Sequence, residues 1–93
     1  MKKITIAEFD ELLYTATFLN YYWIVLCGMS KNNQVNDTHS SFIRDFIEND
    51  RIDQFTNLKR TPFNRIVLTE QQLTYLKECS DITNELKSII WHD

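Results

Sequence analysis

A chain of 93 residues with 43% hydrophobic content holds one core and has no room for a second, and its twelve aromatics argue against wholesale disorder. A net charge of −3 is too mild for a mimic of DNA, and it lacks the basic excess of a chain held to nucleic acid mainly through phosphates. One Gly and one Pro speak against turn-rich sandwiches and barrels and favour long helices with few connections.

The opening Met1-Lys2-Lys3 has the charge of a signal-peptide start, but Glu8, Asp10 and Glu11 interrupt the apolar stretch that should follow. Thr5 and Glu8 have the spacing of a capping box, and acids in the first turn suit the positive end of the helix dipole. Gly28 can take the left-handed conformation that closes a helix, so the first helix is expected over about Ile6–Cys27. Its first half is amphipathic through Phe9, Leu12, Leu13, Ala16 and Leu19, whereas Tyr21 to Cys27 is apolar all round.

From Leu12 to Ser30 no residue carries a formal charge, a length close to that of a membrane span. Thr15, Thr17, Asn20 and Ser30 dilute it, and the dense part from Phe18 to Cys27 has the length of a buried core helix. A soluble, cytoplasmic protein with no membrane role is therefore expected. A helix apolar on every side needs cover on every side. The other helices or a second copy of the chain can supply it, and the second makes a homodimer the expectation, with Tyr21, Tyr22 and Trp23 as the self-association residues.

Met29 to Asp37 reads as a polar loop, after which Asp37 or Thr38 caps a second helix striped by Phe42, Ile43, Phe46 and Ile47. Asn49-Asp50 breaks it, and Ile52, Phe55 and Leu58 mark a short third helix. Lys59 to Arg65 is a basic connection in which Pro62 keeps Thr61 out of the α region. Ile66-Val67-Leu68 has the look of an extended piece without a strand partner. Thr69 with Gln72 repeats the capping box and opens the last helix, whose period runs through Leu73, Leu76, Cys79 or Ser80, Ile82, Leu86, Ile89 and Ile90. Ser80-Asp81 falls midway, but the unbroken period favours one helix. The expected fold is all-α: one domain over residues 1–93, a bundle of about four helices with the first and last the longest.

Catalytic equipment is not visible. His39 and His92 have no nucleophile at a telling spacing, and neither an HExxH nor a glycine-rich phosphate loop occurs. Cys27 and Cys79 form no CxxC pair and read as free thiols in a reducing compartment. No enzyme, metal or cofactor is expected. Asp45, Glu48, Asp50 and Asp53 lie close together with Arg44 and Arg51 among them. Such a run is most simply a solvated helix face with local ion pairs. Its sharper reading is an acidic ridge that docks on a larger protein. Lys59, Arg60 and Arg65 surround Pro62-Phe63 and have the chemistry to grip phosphates.

The small size, helical build and lack of catalytic motifs favour a non-enzymatic protein-binding protein. By analogy of style with immunity proteins and phage inhibitors, the acidic ridge would occlude a basic, nucleic-acid-handling surface of a larger partner. Nucleic acid is the less favoured partner: the alternative is a small helical DNA-binding regulator acting through Lys59, Arg60 and Arg65. The distribution of charge separates the two, since a continuous acidic face supports the first and a basic stripe the second.

Overall fold

A computed structural model describes residues 1–49 and 51–92. The chain enters as a strand, β1 (Lys2–Thr5), and runs directly into α1 (Ile6–Thr17), α2 (Leu19–Gly28) and α3 (Asp37–Asn49). Two short strands, β2 (Lys59–Arg60) and β3 (Arg65–Leu68), lead into the long α4 (Glu70–Trp91), and single 3-10 turns occupy Asn32–Gln34 and Arg51–Phe55. The molecule is predominantly helical, but the all-α expectation needs correction. A three-stranded antiparallel sheet, ordered β1-β3-β2, closes one end of the core.

The sheet exists because Ile66-Val67-Leu68 finds partners on both sides. Residues expected as a basic connection form a hairpin instead. Pro62 pre-sets the first corner of its turn, Asn64 adopts a left-handed φ of 58°, and the Thr61 N–H donates to the Arg65 carbonyl at 2.9 Å. That is the usual build of a three-residue hairpin loop, and asparagine tolerates the left-handed corner better than most residues. The Ile6 N–H donates to the Asn64 carbonyl at 3.2 Å, which seats the turn on the start of α1. On the far side, Lys2 to Thr5 pair with Leu68 to Arg65.

The long first helix is split at Phe18. The Thr17 hydroxyl donates to the Tyr14 carbonyl at 2.6 Å, and the Phe18 N–H turns to the Thr15 carbonyl at 3.1 Å. A hydroxyl that competes for a helical carbonyl bends the helix. Regular bonding resumes when the Tyr22 N–H donates to the Phe18 carbonyl at 2.9 Å, so α1 and α2 are two arms of one kinked rod. The rod also ends differently from expectation. Gly28 remains helical, and Ser30 takes the left-handed φ of 57°. The Lys31 N–H reaches the Leu26 carbonyl at 2.9 Å and the Ser30 N–H reaches the Cys27 carbonyl at 3.1 Å. This pair of bonds is a Schellman closure with Ser30 where glycine is commonest.

Asn36, one residue before the expected caps, starts α3 by accepting the His39 N–H at 2.8 Å. The break after Asn49 occurs, but the third helix is only the 3-10 turn Arg51–Phe55. The last helix forms as one piece, with both bonds of its capping box: Gln72 N–H to Thr69 Oγ1 at 3.0 Å and Thr69 N–H to Gln72 Oε1 at 2.8 Å. Ser80-Asp81 does not break it; Ser80 and Thr83 are buried in its core-facing side, and the Thr83 hydroxyl donates to the Cys79 carbonyl at 2.7 Å without interrupting the helix. At the first capping box, the Glu8 N–H donates to Thr5 Oγ1 at 3.0 Å.

The core runs along α4, which lies against both arms of the kinked rod. Ala16, Leu19 and Leu26 from the rod meet Leu76, Ile82 and Leu86 from α4. Ile43, Phe46 and Phe55 close one side, while Ile4, Ile66 and Leu68 form the floor beneath the sheet. The result is elongated, 47 × 25 × 17 Å. No helix among the described residues is long and apolar enough to cross a membrane.

Candidate functional site

Side chains alternate across a strand, so the buried pair Ile4 and Ile66, directly opposite each other, defines the inner face of the sheet. The outer face then carries Lys3, Val67 and Lys59 in one row across the three strands, with Thr5 and Arg65 in the next row. Strands lie about 4.8 Å apart, so Lys3 and Lys59 flank Val67 across about 10 Å. Lys2 and Arg60 share rows with buried residues yet are exposed on the two edge strands. At the hairpin tip Phe63 is 82% exposed. Arg65 Nη1 donates to the carbonyls of Phe63 at 3.3 Å and Asn64 at 3.4 Å, which holds the guanidinium against the backbone of the hairpin tip.

Five of the ten Lys and Arg residues therefore lie on the three strands, which hold no Asp or Glu among the described residues. Glu8 and Glu70, in the first turns of α1 and α4, are the acids next along the chain from β1 and β3. The mild net charge of the chain thus hides a polar distribution. None of the five strand cations forms an ion pair among the described residues. Lysines on edge strands also keep a sheet from pairing with its neighbours. That role accounts for Lys2, Lys3 and Lys59, but it asks for neither Arg65 on the central strand nor an exposed Phe63. The sequence shows Lys59, Arg60 and Arg65 but not their union with Lys2 and Lys3. The available signal is the alternation of Lys3-Ile4-Thr5 and Arg65-Ile66-Val67-Leu68.

The acidic ridge is less continuous than its sequence. Asp45 accepts the Asn49 side-chain amide at 2.8 Å and lies 3.5 Å from Arg51 Nε, so it is occupied within the chain. Glu48 and Asp53 are exposed and make no ion pair among the described residues, and Asp50 lies outside the described residues. Arg44 and Arg51, both exposed, stand among these acids.

Of the three expected self-association residues, two are engaged within the chain. Trp23 is 8% exposed and belongs to the core. Tyr22 is half-buried, stacked on Phe18 at 5.5 Å and meeting Trp91 edge-on at 5.5 Å. Tyr21 is 60% exposed, its ring tilted against Tyr22 at 5.9 Å, and Ile24, which the uninterrupted apolar run conceals, is 61% exposed.

His39 Nδ1 lies 2.7 Å from Glu85 Oε2 and ties α3 to α4. Cys27 is exposed, whereas burial pushes the Cys79 thiol up to about 12. Burial, and after it the neighbouring Cys79, also drives the Tyr75 hydroxyl well above its ordinary value. That hydroxyl is buried with no hydrogen-bond partner among the described residues. No three His, Cys, Asp or Glu side chains among the described residues gather to hold a metal ion. Comparison with protein-family models, with curated proteins and with solved structures yields no match.

Proposed function

We propose that this chain is a small non-enzymatic protein that binds nucleic acid through the outer face and the two edges of its sheet. One observation carries the reading: the fold brings Lys2 and Lys3 beside Lys59, Arg60 and Arg65 and leaves Phe63 exposed at the same end. Cations in rows neutralise successive phosphates, and a free aromatic ring offers a base something to stack on. By the distribution of charge, the basic stripe is the more continuous face. The binding element is a strand platform, not a recognition helix.

Fluorescence anisotropy with labelled single- and double-stranded oligonucleotides, repeated across salt concentrations, tests this. Five cations allow a salt slope on duplex no steeper than about −4.5, and each lost phosphate contact flattens it by about 1. Lys59→Glu and Arg65→Glu should each weaken binding and flatten the slope. Phe63→Ala should weaken single-strand binding with little change in slope, since stacking is worth about 1–3 kcal/mol per base. No binding at high micromolar protein in low salt, or binding indifferent to these substitutions, removes the proposal.

A second reading, an inhibitor that occludes a basic protein surface, is favoured by Glu48, which stands exposed beside Ile24 and Ile47. Arg60→Glu with Arg65→Glu abolishes nucleic-acid binding under the first reading. Glu48→Lys with Asp53→Lys instead releases a protein partner under the second, and leaves oligonucleotide binding intact or tighter.

A further inference from the structure

We propose that two copies of this chain associate about a two-fold axis through the shallow groove between α2 and α3. The groove has a volume of about 450 Å³, with Trp23 as its floor and Ile24, Cys27 and Ile47 along its walls. Ile24 and Ile47 are exposed on adjacent helices, which leaves apolar surface open where the two meet.

The rim charges point to a second copy as the occupant. Arg44 and Glu48 both line the groove, one turn apart on α3, and make no ion pair among the described residues. A two-fold axis requires a surface complementary to itself. When two α3 helices cross antiparallel with the axis between these positions, Arg44 of each copy meets Glu48 of the other. Both ion pairs form at once. Ile47, lying between the two charges, then stands next to the axis and enters the opposite groove beside Ile24 and Cys27. A partner of a single charge would satisfy only one side of this rim, whereas a second copy satisfies both. The interface involves none of the strand cations, so it stands or falls apart from the nucleic-acid reading.

Sedimentation velocity of the whole chain without nucleic acid, from low to high micromolar, tests the assignment. The wild type should move from the 11.2 kDa monomer to twice that mass. Ile47→Asp, and separately the milder Ile47→Ser, should raise the dissociation constant at least tenfold while keeping the helical circular dichroism of the wild type. Arg44→Glu and Glu48→Arg should each weaken the dimer, and the two together should restore it, because the exchange recreates both pairs across the axis. Alkylation of Cys27 with a bulky maleimide should also yield monomer. Arg60→Glu should leave the mass unchanged. A wild type that is monomeric at every concentration overturns the proposal. So does a dimer that survives both Ile47 substitutions, or a double charge exchange that is no better than the singles.

Discussion

Replacing Gly28 by Ala separates two accounts of how the kinked rod ends. Gly28 lies in helical conformation, and a Cβ built on it meets nothing within 4 Å. Alanine there should stabilise the fold by about 0.5–1 kcal/mol, the usual helical gain over glycine. Unfolding entropy near 2.1 cal/mol/K per residue gives this chain roughly 0.2 kcal/mol/K, so the melting temperature should rise by about 3–5 °C. If Gly28 were the left-handed residue, alanine would instead lose about 1–2 kcal/mol, a fall of roughly 5–10 °C. The signs are opposite. Ser30→Gly provides the counterpart: Ser30 carries the φ of 57°, and relief of that strain is partly offset by the greater freedom of glycine in the unfolded chain. Its expected effect lies between zero and about +1 kcal/mol. Circular dichroism melts at 222 nm measure both variants. A lower melting temperature for Gly28→Ala refutes the Schellman closure at Ser30.

Removing the residues after Lys87 deletes the half-buried Ile89 and Ile90 and the Trp91 contact with Tyr22, and should cost about 2 kcal/mol, roughly 10 °C; an unchanged melt would show that the tail adds nothing. Titration with a thiol reagent should modify Cys27 at once and Cys79 only on unfolding, and equal rates for both would contradict the burial of Cys79. Folded Cys79 keeps a proton that the unfolded chain releases above its ordinary value of 9.0, so its contribution is whole below about pH 9 and is lost as pH rises toward about 12. Denaturant titrations over that range should show stability falling by up to about 1.4 kcal/mol per pH unit per retained proton, and Cys79→Ala should reduce the slope. Tyr75→Phe removes a buried hydroxyl without a partner and should be neutral or stabilising by up to about 1 kcal/mol; a loss larger than that would reveal a bond to the hydroxyl.

The parts of the fold legible in the sequence are those held by local chemistry. The last helix could be read from Thr69, Gln72 and an unbroken period because its cap and its apolar face both lie within one stretch of chain. The sheet could not. Lys2–Thr5 and Arg65–Leu68 are four residues each, too short for a clear alternation, and they meet across most of the chain. Scarcity of glycine misleads here as well, since Ser30 and Asn64 supply the left-handed corners that glycine usually takes. At the site, the basic trio is visible as residues 59, 60 and 65, while its union with Lys2 and Lys3 requires the register. Within the apolar run, the sequence names Tyr21, Tyr22 and Trp23 for self-association, and of these only Tyr21 is exposed. The turn of the helix buries Trp23 and leaves Ile24 facing out.

The pairing of the chain's first strand with its last has a consequence for synthesis. Lys2–Thr5 leaves the ribosome some sixty residues ahead of Arg65–Leu68, an interval of roughly 3–13 s at ordinary elongation rates. During that time Ile4 has no strand to cover it, and the N–H groups of β1 have no ladder to join. The helices can collapse while translation continues, but the floor of the core stays open until the hairpin at Pro62 emerges and folds back. Nascent chains stalled before that hairpin should therefore expose β1 to chaperones and to other unpaired strands. Lys2 and Lys3 give this waiting strand the charge that discourages such wrong pairings, so the same two residues serve the molecule before it is complete.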